Sequence, residues 1–119
     1  MKKTVVLGAS TNPERYSYLA VQRLTNHGHP VVAIGQKAGI IHSVSIGTEM
    51  LDEKEVDTVT LYLNPKAQES YYEYIFSLHP KRIIFNPGTE NEELEALAKS
   101  KGIEAIEACT LVMLNTGQF

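Results

Sequence analysis

Thr4-Val5-Val6-Leu7-Gly8-Ala9-Ser10-Thr11-Asn12-Pro13-Glu14-Arg15-Tyr16-Ser17 is the stretch on which the reading of the fold turns. Thr4 to Leu7 form a short β-branched and apolar run that stops at Gly8. An unbroken run closed by a turn residue is the pattern of a strand buried on both faces, as in a parallel sheet. The polar loop Ser10 to Arg15 follows. Tyr18, Leu19, Val21, Leu24 and Thr25 then recur at helical spacing. Gly28 is placed to end that helix, with Pro30 behind it.

The same alternation repeats outward from this unit. Val31–Ile34 reads as a second strand, closed by Gly35. Residues Gln36 to Glu49 read as irregular, with at most a short strand at Val44 to Ile46, and Leu51 to Val56 as a helical turn. Asp57 to Leu63 reads as a third strand. Asn64-Pro65 has the form of a helix start, Asn as cap and Pro at the first helical position. That helix carries Ala67, Tyr71, Tyr74, Ile75 and Leu78 on one face and ends at Pro80, while Tyr72 is turned away, toward a partner surface. Lys81 to Phe85 is a fourth strand, closed by Asn86-Pro87-Gly88. Asn91 caps a helix with Glu92 and Glu93 in its first turn, the sign a helix dipole favours there. Leu94, Leu97 and Ala98 face inward from it. Ile103 to Glu107 is a fifth strand, and Thr110 to Leu114 begins a last helix. Alternating strands and helices predict an α/β fold: a doubly wound parallel sheet of about five strands, order 3-2-1-4-5, with helices on both faces.

The 119 residues fit a single domain spanning 1–119, with no linker or internal repeat. The net charge of −3 and the scattered Lys and Arg argue against nucleic acid as a partner, and against a membrane surface held by basic charge. The lone Cys109 fits a reducing compartment. No export signal is visible and no apolar run reaches the ~20 residues of a membrane helix, so the expected location is cytoplasmic.

In sheets of this kind, ligands bind beyond the carboxyl ends of the strands, where the strand order reverses. Four strand ends carry turn chemistry suited to that edge: Gly8-Ala9-Ser10, Gly35-Gln36-Lys37, Asn64-Pro65 and Asn86-Pro87-Gly88. Such loops need Gly, Asn and Pro for turning alone; four together favour a site. The first loop is the strongest candidate. Gly8 lets backbone pass close to a ligand, and the first-turn amides of the following helix offer hydrogen bonds and partial positive charge to phosphate. Ser10, Thr11, Asn12 and Ser17 add side-chain donors, and Arg15 adds a formal charge.

This loop is not the dinucleotide fingerprint, which would place glycines at positions 8, 10 and 13, where the chain has Gly8, Ser10 and Pro13. The acidic residue that ends the second strand in NAD sites is also missing. Lys37 stands there instead and suits a ribose carrying its own phosphate, as in coenzyme A or NADP. His27 and His29 flank Gly28 at a helix end, where a cation suits the dipole, and no second cluster completes a metal set. Cys109 reads as a small buried hydrophobe, with a mixed disulfide to a thiol ligand as the alternative. No Ser-His-Asp order, carboxylate pair or nucleophile elbow appears, so no catalytic residue is assigned.

Gly8-Ala9-Ser10-Thr11-Asn12-Pro13-Glu14-Arg15-Tyr16-Ser17 resembles the opening of the small bacterial CoA-binding domain proteins, a family whose fold is similar to the N-terminal domain of the succinyl-CoA synthetase alpha subunit. The resemblance extends through Asn86-Pro87-Gly88, Asn91-Glu92-Glu93-Leu94 and Glu107-Ala108-Cys109-Thr110. It implies a Rossmann-like domain that binds coenzyme A or an acyl-CoA. By matching position, Gly8, Ala9, Ser10, Asn12, Arg15 and Ser17 would surround the diphosphate, and Lys37 would lie near the adenosine 3′-phosphate. Leu63, Asn64 and Pro65 would flank the adenine or the pantetheine, with Asn86, Pro87 and Gly88 beside it. Many relatives carry Asn-Pro after the second strand, where this chain has Gly35-Gln36-Lys37. The expected function is a coenzyme A binding module without catalysis of its own. The competing readings are an NADP-dependent oxidoreductase, and an interaction protein that kept the fold and lost the ligand. For the latter, Leu111-Val112-Met113-Leu114 would pack on a partner or on the chain's own sheet; a homodimer is among the assemblies the sequence permits.

Overall fold

β1 (Thr4–Leu7) is completely buried because it lies inside the sheet, with parallel neighbours on both edges. The computed structural model describes residues 1–119. After β1 the chain forms α1 (Tyr16–Asn26), β2 (Val31–Ile34), β3 (Gly39–Ile41), β4 (Val44–Gly47) and β5 (Thr58–Leu61). It continues through α2 (Pro65–Gln68), a 3₁₀ turn (Glu69–Tyr71), α3 (Tyr72–Ser77), β6 (Arg82–Phe85), α4 (Glu92–Ser100), β7 (Glu104–Glu107) and α5 (Thr110–Asn115). The strands make one seven-stranded sheet of order β3-β4-β2-β1-β5-β6-β7, parallel except for the β3–β4 pair.

Side chains alternate across the sheet, and the helices divide between its faces. Val5, Leu7, Val59, Leu61, Ile83 and Phe85 pack with Tyr74, Ile75 and Leu78 of the α3 segment and with Leu94 and Ala98 of α4. Val6, Ala33, Ile46 and Ile84 pack with Val21 and Leu24 of α1 and with Met113 and Leu114 of α5. The apolar stretch Leu111 to Leu114 thus lies against the chain's own sheet, with only Val112 largely exposed.

Five expectations are corrected. The sheet has seven strands, not five, because the segment read as irregular, with at most a short strand at Val44 to Ile46, folds into the β3–β4 hairpin. Its tip, His42-Ser43, lacks the Asn-Gly or Asp-Gly that marks a tight hairpin; His42 takes the left-handed conformation (φ 53°) without glycine's help. The strand order also changes. β4 occupies the outer edge of β2, pairing Ala33 with Ile46, so β5 crosses over to pair with β1 in the register Thr4–Thr58 to Leu7–Leu61. The third strand of the sequence reading is therefore a direct neighbour of the first. Finally, the helix after Asn64 is broken at the 3₁₀ turn, Leu51 to Val56 forms no helical turn, and Leu97 is exposed.

Helix starts follow the chemistry of their caps. The Asn64 side chain accepts from the Ala67 amide at 2.9 Å, and that of Asn91 from the Leu94 amide at 3.2 Å. α1 differs: Arg15 precedes it without a side-chain cap, and its first turn has no acidic residue. No helix is long and apolar enough to cross a membrane.

Candidate functional site

The revised strand order brings the ends of β1, β2, β5 and β6 together around one open cleft of about 630 Å³. This lies within the usual ~300–1,000 Å³ of ligand pockets. Gly8, Ala9, Ser10, Thr11, Arg15, Ser17, Lys37, Leu63, Asn64, Pro87 and Gly88 all line it. Asn12, Pro65 and Asn86 do not. Glu14, Tyr16, Gln36, Tyr62 and Thr89 line it as well, unanticipated by the sequence reading. Glu14, Tyr16 and Gln36 lay inside quoted loops; Tyr62 carried no signal until β5 was known to adjoin β1.

The floor of the cleft is built by close backbone approach. The amides of Gly8 and Ala9 both donate to the Ile34 carbonyl at 2.9 Å, tying the first loop to the end of β2. At Gly8 (φ +91°) an added Cβ would lie 2.6 Å from the Tyr62 carbonyl oxygen. At Gly39 it would lie 2.4 Å from Thr11 Cγ2. Glycine is therefore required at position 8, where the opposing atom is backbone, whereas at position 39 a larger residue would have to displace the exposed Thr11 side chain.

Asn12 shapes the first loop internally. Its amide donates to Ser10 Oγ at 3.1 Å, its side chain accepts from the Glu14 amide at 3.0 Å, and its carbonyl accepts from the Arg15 amide at 3.0 Å. The amides of Ser10, Thr11, Tyr16 and Ser17 have no partner within the protein. They belong to a cleft-lining loop and to the uncapped start of α1. Unpaired amides at a helix start, with the positive end of its dipole, are suited to an anion. Arg15 and Lys37 line the same cleft, both exposed and neither in an ion pair.

The opposite wall is a buried polar network. Asn86 is buried, and its Nδ2 donates to Thr60 Oγ1 at 2.7 Å and to the Leu61 carbonyl at 2.8 Å. Its Oδ1 accepts from the Thr110 amide at 2.9 Å, and its carbonyl accepts from Thr89 Oγ1 at 2.7 Å. Asn86 thus joins β5, β6 and α5 instead of facing the cleft. Tyr72, expected on a partner surface, accepts a hydrogen bond from Asn91 at 2.8 Å. The Tyr62 hydroxyl is enclosed without a hydrogen-bond partner, and this burial pushes the phenol's pKa upward. Cys109 is half-buried at the start of α5 and does not line the cleft.

Comparison with known proteins places the chain. A family model described as "CoA binding domain" matches residues 2–115. The crystal structure of an uncharacterized protein is 54% identical, with a TM-score of 0.97, covering 100% of this chain and 98% of that one. A hypothetical protein from Pyrococcus horikoshii OT3 is 25% identical, with a TM-score of 0.87, covering 97% and 82%. At 22% identity, a Thermus thermophilus protein (cell-free ID.343) shares the fold, with a TM-score of 0.84 and coverage of 99% and 90%.

Proposed function

The chain belongs to the CoA binding domain family, and on that premise we propose that it holds coenzyme A, or an acyl-CoA, in the cleft at the carboxyl ends of its central strands. The fold is read as Rossmann-like, with the diphosphate on the first loop. The observation that carries this reading is the convergence of four unpaired amides, Ser10, Thr11, Tyr16 and Ser17, with the free cations Arg15 and Lys37 on one cleft. An anion with several phosphates answers both features; a neutral ligand answers neither. The adenosine 3′-phosphate falls to Lys37. The adenine and pantetheine fall to the wall formed by Leu63, Asn64, Pro87 and Gly88.

The reading is of a binding module. Among the cleft-lining residues, Glu14, Arg15, Tyr16, Lys37 and Tyr62 are titratable, and they contain no arrangement of nucleophile, base and orienting group. A carrier, sensor or regulator of coenzyme A needs none.

Titration calorimetry with coenzyme A and with dephospho-coenzyme A tests the proposal. Coenzyme A is expected to bind, and dephospho-coenzyme A to bind more weakly. Equal affinity would remove the role given to Lys37. Affinity for NADPH with none for coenzyme A would replace the reading with that of a nicotinamide-dependent oxidoreductase.

A further inference from the structure

We infer that Gln68 is a positioning residue for the non-phosphate wall of the cleft, acting through the carbonyls of Leu63 and Thr89. The inference rests on the coenzyme A reading above. Gln68 is completely buried and does not line the cleft. Its Nε2 donates one hydrogen bond to the Leu63 carbonyl and one to the Thr89 carbonyl, each 2.8 Å. Leu63 and Thr89 both line the cleft, on the loops after β5 and β6. The two hydrogens of one amide group therefore span the two loops that form this wall.

The orientation of that amide is itself fixed. Gln68 Oε1 accepts from Asn91 Nδ2 at 2.9 Å, and the other hydrogen of Asn91 Nδ2 goes to the Tyr72 hydroxyl at 2.8 Å. Asn91 Oδ1 is held in turn by the Leu94 amide. Each amide has only one arrangement that satisfies all of these partners, because carbonyls accept and cannot donate. Asparagine at 68 would be a methylene shorter than the reach these bonds use. Glutamate would face two carbonyl oxygens, and methionine would fill the space without donating.

The wall and the phosphate loop are separate parts of the cleft, so damage at Gln68 is expected to be selective. The test uses the full chain and two probes: coenzyme A by calorimetry, and inorganic pyrophosphate by NMR shifts of the Ser10, Thr11, Tyr16 and Ser17 amides. Gln68→Met is expected to weaken coenzyme A about ten-fold and leave pyrophosphate within about two-fold. Asn91→Asp serves as the second variant, since it keeps the shape and the cap on Leu94. Its carboxylate would attract Gln68 Nε2 and turn that amide over, leaving the Leu63 and Thr89 carbonyls facing an oxygen; the same selective loss is expected. Equal weakening of both probes, or unchanged coenzyme A affinity in a folded variant, would overturn the inference alone. Wild-type protein that binds no coenzyme A would overturn the binding reading and the inference with it.

Discussion

A Cβ placed on Gly35 would stand 2.2 Å from the carbonyl oxygen of Ala9. The end of β2 and the loop after β1 are thus in contact at a spacing that only a hydrogen on Gly35 allows. The first loop cannot hold its present position beside any larger residue there. Gly35→Ala is expected to cost about 1–3 kcal/mol, as overpacking between fixed elements does. Gly8→Ala adds a disfavoured φ to a 2.6 Å approach on Tyr62 and is expected to cost at least as much. Urea unfolding measures both, and a Gly35→Ala protein as stable as wild type would show that the loop can yield.

Lys37 lines the cleft with its charge unpaired. Lys37→Gln is expected to weaken coenzyme A about ten-fold, the order of one charge-assisted hydrogen bond, and to leave dephospho-coenzyme A nearly unchanged. The difference between the two ligands shrinks as salt is added, since the pair is exposed. Calorimetry at two ionic strengths reads both effects.

Asn86 was expected among the ligand contacts; the structure gives it a buried joint between strands and α5 instead. Asn86→Ala leaves the Thr110 amide without its acceptor and opens a small void. The expected loss is about 2–4 kcal/mol of stability. The affinity of the fraction that remains folded should change far less than in Lys37→Gln. A loss of binding without a loss of stability would return Asn86 to the ligand.

Glu95 on α4 has a carboxyl pKa held above the ordinary carboxylate value, first by burial and then by the nearby Glu107 carboxylate; the Asn91 backbone and Lys99 oppose this. One of its oxygens is enclosed without a partner. The folded chain therefore keeps this proton to higher pH than the unfolded chain does. Its contribution is complete below the unfolded pKa and is lost as pH rises through the raised folded one. Glu95→Gln, which cannot ionise, is expected to match wild type in acid and exceed it in melting temperature near neutral pH. A constant difference across the range would locate the effect elsewhere.

How much of this was legible in advance depends on how local each signal is. β1, β2, β5, β6 and β7 all fall within the strand segments read from apolar runs and turn residues, and Asn64 and Asn91 cap helices as their positions predicted. Of the first-loop residues read as ligand contacts, Gly8, Ala9, Ser10, Thr11, Arg15 and Ser17 line one cleft with Lys37, and Asn12 does not. β4 was read only as a short strand at Val44 to Ile46, and β3 escaped because it is three residues long and its turn to β4 lacks glycine. Gln68 escaped because a glutamine in a helical segment is ordinarily a surface residue; nothing near it in sequence announces two carbonyl partners on different loops.

The sequence by itself determined the alternation of strands and helices, the placement of turn chemistry at strand ends, and a phosphate-suited loop without the dinucleotide glycines. Each of these depends on residues close together along the chain. Only the tertiary structure decided that β5 lies beside β1, that Tyr62 and Thr89 join the cleft, and that Asn86 and Gln68 hold its walls from within. Strand neighbours are chosen by competition for a sheet edge, and here β4 holds the edge of β2 while β5 pairs with β1. Buried amides are chosen by the carbonyls that need them, and those carbonyls come from loops brought together only by the finished sheet.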